Sequence, residues 1–130
     1  MSWISNIFTR TKSKEKHLGE NDFSSIKTDI HSHLIPGIDD GVQTIEESIS
    51  LLKSLQELGF KKVVTTPHIM GDYFRNTPEN INAGLAEVRN AIKENELDIE
   101  LYAAAEYYLD DSFIKKIEAK EKLLSINEKY

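Results

Sequence analysis

The chain has no cysteine. No disulfide staples its fold, and no thiolate nucleophile is available, which removes the cysteine-dependent hydrolases from consideration. It also lacks an apolar run long enough to span a bilayer, and the apolar core and small-residue cleavage site of a secretory signal, so the expected compartment is the cytoplasm. Positive charge is scarce: 16 Lys and Arg stand against 22 Asp and Glu, a formal net charge of -6. That balance argues against nucleic acid as a partner, and an anionic substrate would need metal ions or local arginines. What is present, in 130 residues that are 39% hydrophobic, suffices for one domain with a real core.

The chemistry concentrates in residues 29–41, Asp-Ile-His-Ser-His-Leu-Ile-Pro-Gly-Ile-Asp-Asp-Gly. His31 and His33 are two residues apart, so on an extended strand both side chains leave by one face. The Pro36-Gly37 turn then allows Asp39 and Asp40 to fold back over the strand end and offer hard oxygen ligands beside the nitrogens. Mixed nitrogen and oxygen donors suit zinc, manganese or iron. The bland alternatives stay open here: an isolated His-x-His is more often an exposed or hydrogen-bonded pair, and the two aspartates can be turn residues with Gly41 supplying a positive φ. Of the two, Asp39 is the better structural candidate.

Around this stretch the punctuation predicts alternating strands and helices. Residues 1–25 form a leader in which Trp3, Ile4, Ile7 and Phe8 share one helical face ahead of Arg10, Lys12, Lys14 and Lys16; it reads either as a weak contact with an anionic membrane surface or as a flexible segment docked loosely on the domain. The domain proper spans residues 26–130. A first strand is expected over 26–31. Thr44 and Glu47 make a capping box for a helix carrying Ile45, Ile49, Leu52 and Leu55, which Gly59 stops in the left-handed region. A second buried strand runs over 60–66 and ends at His68, residues 69–76 form a loop, and Thr77-Pro78 starts a helix that runs to about Asn95 with Ile81, Leu85, Val88 and Ile92 on its apolar stripe. A third strand is expected over 98–105 with Glu106 at its end, then a short helix capped by Asp110 or Asp111 and bearing Phe113, Ile114 and Ile117, and finally the approach to a fourth strand near Tyr130.

Strand, loop and helix repeat three times, which implies a parallel sheet and an α/β class. The carboxyl ends of parallel strands share one edge, so His31, His33, His68 and Glu106 should converge there as a metal site. Two local alternatives remain: His68 can cap the following loop, and Glu106, next to Tyr107 and Tyr108, can be a buried carboxylate held by tyrosine hydroxyls.

Asp29 with His31-Ser-His33, Asp39-Asp40-Gly41, Thr65-Thr66-Pro67-His68 and Ala105-Glu106-Tyr107-Tyr108 resemble the opening motifs of the polymerase-and-histidinol-phosphatase (PHP) superfamily, and within it the bacterial capsule-associated tyrosine phosphatases of the CpsB/YwqE type. The resemblance covers residues 26–130. It implies a distorted TIM-like β/α barrel, of which the chain would hold the first three βα units, with two or three divalent ions, manganese or iron first and zinc or magnesium as alternatives. It implies that His31, His33 and Glu106 are ligands, that Glu106 bridges, and that Asp40, which would also take part in catalysis, and His68 serve a neighbouring ion. The implied activity is hydrolysis of phosphotyrosine in proteins, often the tyrosine kinases that control capsular or exopolysaccharide export. Arg75, in the loop after His68, is a second catalytic candidate, because guanidinium pairs bidentately with phosphate.

Family members resemble this sequence but are about twice as long, so the expectation is an amino-terminal half that lacks later ligands and phosphate-binding arginines. Three competitors follow. One is another PHP phosphoesterase acting on histidinol phosphate or a similar ester. Another is an amidohydrolase-type metal hydrolase. The third is a catalytically incomplete remnant that self-associates or pairs with a complementing fragment through its uncovered sheet edge.

Overall fold

The computed structural model describes residues 23–126. The membrane-contacting reading of the leader and the fourth strand near Tyr130 fall outside these residues. In chain order the elements are β1 (Thr28–Asp29), α1 (Ile45–Glu57), β2 (Lys62–Thr65), β3 (His68–Ile69), α2 (Pro78–Glu94), β4 (Glu100–Ala103), β5 (Glu106–Tyr107) and α3 (Asp111–Glu118). Strands β1, β2 and β4 form one parallel sheet in that order, while β3 and β5 form a separate parallel pair. The class is mixed α/β with parallel sheets, as the alternating pattern predicts. Among the described residues no helix is long and apolar enough to cross a membrane.

Both long helices form where their caps predict. Thr44 accepts from the Glu47 amide, and the Glu47 side chain returns to the cap; Thr77 and Asn80 repeat the device on α2, with Pro78 at the first position. Gly59 stops the first helical segment at φ +99, a conformation a side chain would strain. The helices bury Leu52, Ile81, Leu85, Val88 and Ile92 in one core with Val63 and Leu101 of the sheet. That apolar burial supplies the fold's main stabilisation, at roughly 2 kcal/mol for each fully buried aliphatic side chain. Phe23 adds to it by stacking on Phe60 at a centroid distance of 5.3 Å.

The strands depart from expectation in three places, each with a local cause. The first strand shrinks to Thr28–Asp29 because Lys27, at φ +62, breaks the extended run before it, and Ile26 and Ile30 are exposed. His31 and His33 therefore lie beyond the β1–β2 pairing. There the Ser32 carbonyl accepts from the Thr66 amide (2.6 Å) and the Thr65 hydroxyl (2.9 Å), and the Leu34 amide donates to the same hydroxyl at 2.9 Å. The expected loop over 69–76 loses Ile69 to β3. The expected third strand contracts to β4, and Glu106 lies within β5 rather than at a strand end.

Two turns tie these parts together. Gly41 is required for space rather than for a positive φ: a Cβ there would lie 2.4 Å from the His33 Cβ and 2.5 Å from the His33 carbonyl oxygen. At the far end, Asp110 caps α3 and also accepts from the Gly71 amide at 2.9 Å. The Ser112 hydroxyl, then the Gly71 and Phe113 amides, hold the Asp110 carboxyl down at about 2, against an ordinary 3.8. A depressed carboxyl contributes stability that is complete above its unfolded value and is lost as pH falls through the folded one. The deficit in thermal midpoint of Asp110→Ala against the parent chain is accordingly expected to be full at pH 6 and to narrow as pH falls from about 4 towards about 2.

Candidate metal centre

The parallel register of β3 and β5 sets His68 directly opposite Glu106. The segment that leaves β1 brings His31 and His33 to the same place. Glu106 Oε2 lies 3.4 Å from His33 Nε2, 3.4 Å from His68 Nδ1 and 3.9 Å from His31 Nε2. On the other side, His68 Nε2 is 3.3 Å from Asp40 Oδ1. Two groups of donors result, each with its ligand atoms within 4.8 Å of one another: His31, His33 and Glu106, and His33, Asp40 and His68. All five metal-ligand candidates read from the sequence are thus brought together.

Each ring is also aimed. Asp39 is buried and accepts from His33 Nδ1 at 2.7 Å, leaving Nε2 turned to Glu106. It also accepts from the His68 and Gly41 amides, both at 3.0 Å. Burial alone would raise the Asp39 carboxyl, but the hydrogen bonds from His33, Gly41 and His68 outweigh it and hold the group below its ordinary 3.8. The buried Thr66 hydroxyl lies 3.2 Å from His31 Nδ1. His68 is sandwiched, its centroid 4.6 Å from that of His33 and 5.5 Å from the near-parallel Phe74 ring. A second polar group that orients each ligand ring is what metal sites generally provide.

The donor set fits a divalent cation. Glu106 Oε2 is buried and has no hydrogen-bond partner although imidazole nitrogens stand 3.4 Å away on two sides, an arrangement that a cation between them would satisfy. Two donors bound tetrahedrally to one ion at about 2.1 Å each lie about 3.4 Å apart, which matches the observed spacings. Because His33 Nδ1 is engaged by Asp39, the ring has one free nitrogen, and it is Glu106, at equal distance from His33 and His68, that stands between the two groups.

One alternative is corrected. The tyrosine hydroxyls do not hold Glu106: Tyr107 instead accepts from the Leu124 amide at 2.8 Å. Arg75 is not drawn into the cluster; it is exposed, donates Nε to the Gly71 carbonyl at 2.9 Å and, among the described residues, forms no ion pair. Sequence reading missed the orienting hydroxyl of Thr66, for which two consecutive threonines at a strand's carboxyl end were the available signal. It also missed Asn76, whose contacts are all tertiary or at a helix start.

The chain matches the family model described as capsular polysaccharide synthesis, CpsB/CapC, over residues 27–130. It is 35% identical over 100 residues to the putative tyrosine-protein phosphatase CapC of Staphylococcus aureus, an alignment covering 77% of this chain and 39% of that protein. It is 34% identical over 93 residues to the tyrosine-protein phosphatase CpsB of Streptococcus pneumoniae, covering 72% and 38% respectively. Among solved structures, one described as YwqE from Bacillus subtilis and CpsB from Streptococcus pneumoniae, unique metal-dependent tyrosine phosphatases, aligns with a TM-score of 0.68 at 24% identity over 78% of this chain and 40% of that one. At that identity the likeness establishes the fold. The chain spans about two-fifths of the length of these curated relatives.

Proposed function

The chain belongs to the CpsB/CapC family, and from that premise we propose that it provides the metal-holding part of a phosphatase that hydrolyses phosphotyrosine in proteins. The observation that carries this reading is the buried, unpartnered Glu106 Oε2 amid three imidazole nitrogens. His31, His33 and Glu106 would hold one ion and Asp40 and His68 a neighbouring one, with Glu106 standing between the two. Manganese or iron suits the mixed nitrogen and oxygen donors. When bound, two such ions supply Lewis acidity that lowers the pKa of water and neutralises charge on the phosphoryl group during in-line displacement.

The remaining work falls to the chain itself. With Asp39, Asp40 and Glu106 clustered on a chain of net charge -6, a phosphate dianion meets repulsion unless cations offset it. Asp39 and Thr66 keep the imidazoles aimed, and the stacked Phe74 fixes the His68 plane. Arg75, exposed beyond β3, would pair its guanidinium with a phosphate oxygen of the substrate. The substrate class is a phosphotyrosine protein such as a bacterial tyrosine kinase, in the control of capsular or exopolysaccharide synthesis in the cytoplasm. In this reading the parallel strands open a distorted β/α barrel, which the additional length of the relatives would complete.

A second reading, an incomplete remnant that pairs with another chain, is favoured by the outer edge of β4. A groove of ≈ 650 Å³ runs over β2 and β4, lined by Lys62, Arg89 and Tyr102 and by residues 122–126 of the same chain. Arg89 Nε caps the Leu101 carbonyl of β4 at 2.8 Å, and α3 exposes Ile114 and Ile117.

Manganese-dependent phosphate release from a phosphotyrosine peptide tests the main reading. The expected result is turnover that a chelator removes and that His31→Ala reduces by on the order of 10²-fold. A folded, soluble sample without turnover, whose mass rises with concentration, would favour the remnant.

A further inference from the structure

One buried amide joins the two segments that carry the Asp40 and His68 ligands. Asn76 is 9% exposed and lies just before α2. Its single NH2 group donates one proton to the Ile38 carbonyl at 2.9 Å and the other to the His68 carbonyl at 2.8 Å. Its Oδ1 accepts from Asn80 Nδ2 at 2.8 Å, and Asn80 in turn accepts from the Thr77 amide in the capping box of α2. The His68 amide, for its part, donates to Asp39 Oδ2. A closed ring of hydrogen bonds therefore runs from Asp39 through the His68 peptide to Asn76, on to the Ile38 carbonyl and back along the chain to Asp39.

We infer that Asn76 is a positioning residue for the second ion, and that it sets the separation of Asp40 from His68. The inference rests on the metal reading given above. Asp40 is exposed and His68 sits on a two-residue strand, so neither ligand is fixed by a long element of its own. The covalent link between them spans a turn, a helix and a strand, too much chain to hold two ligand atoms at 3.3 Å. Beside the direct bond from the His68 amide to Asp39, Asn76 adds a second cross-link between the two segments and fastens it to the first turn of α2, one of the most deeply packed elements. Only an amide satisfies the geometry. Both carbonyls need donors, and the Asn80 side chain needs an acceptor on the same planar group.

The test is a Zn2+ titration followed by the ring resonances of His31 and His68 in the 130-residue chain and in Asn76→Asp. Aspartate keeps the shape but sets oxygen against two carbonyl oxygens. The expected result is a His68 midpoint moved at least 10-fold to higher Zn2+, with the His31 midpoint within about twofold of the parent. Thr77→Ala serves as the control for a merely structural effect, since it removes the α2 cap and leaves both Asn76 carbonyl bonds; its His68 midpoint is expected to stay put. An unchanged His68 midpoint in Asn76→Asp, or an equal shift at His31, overturns the inference while the metal reading stands. A parent chain whose histidines do not respond to Zn2+ overturns both. If Asn76→Asp does not fold, Asn80→Ala, which withdraws only the anchor on Oδ1, carries the same comparison: a His68 midpoint raised at least threefold supports the role, and an unchanged one overturns it.

Discussion

Glu106→Gln is expected to lower the Mn2+ affinity of the chain by on the order of 10²-fold or more while leaving the metal-free chain at least as stable as the parent. The two effects have one cause. Glu106 Oε2 is buried without a hydrogen-bond partner, so in the absence of a cation that oxygen contributes no bond for the amide to lose, and glutamine replaces it at nearly constant volume. Glu106 belongs to the donor group of His31 and His33 and its Oε2 also lies 3.4 Å from His68 of the other group, so its loss is expected to reach further than that of His31, which belongs to one group alone. Calorimetric Mn2+ titration and thermal melts in chelator at pH 8 check it. A variant that binds Mn2+ like the parent, or melts well below it without metal, would refute the role assigned to this carboxylate.

Asp39→Ala carries the larger cost to the fold. The side chain is fully buried and receives three donors, the His33 ring and the amides of Gly41 and His68. Removing it strands all three in a site whose tight packing admits little relaxation, as the 2.4 Å approach of a Gly41 Cβ position to His33 illustrates. The expected loss is about 3–5 kcal/mol. It should appear as a lower urea midpoint with an unchanged m-value. Asp39→Asn, which keeps one acceptor but turns an NH2 towards donors, should lose about 2 kcal/mol. Equal stability of Asp39→Ala and the parent would mean that the hydrogen bonds to Asp39 contribute nothing net.

The sequence made some of this legible and hid the rest for physical reasons. Helices α1 and α2 announce themselves because caps, apolar spacing and the Gly59 stop are local signals that agree with one another. The candidate ligand residues were legible as chemistry, since imidazoles and a carboxylate fall near the ends of three consecutive expected strands. Strands β3 and β5 were not, because two residues are too few to show a period. The break at Lys27 was hidden too, because a lysine at positive φ carries none of the glycine or asparagine signal. Nor do two adjacent aspartates declare which is buried: only the fold assigns Asp39 to orienting His33 and leaves Asp40 facing outward. Asn76 acts across 38 positions to reach Ile38, beyond any local pattern.

The opposition of His68 and Glu106 in a backbone ladder has a consequence for where this chain can gain length. A ladder register depends on the paired residues and not on how far the chain travels between them. Extra residues at the tip around Asp72 and Tyr73 would leave the histidine and glutamate face to face, because Asn76 re-anchors the returning chain to α2. One residue added between Asp29 and His33 would instead swap which side chains point at the glutamate. The loop around Asp72 and Tyr73 can therefore gain length without moving the pair, whereas an insertion or deletion in the short run from β1 to the turn would move His31 or His33.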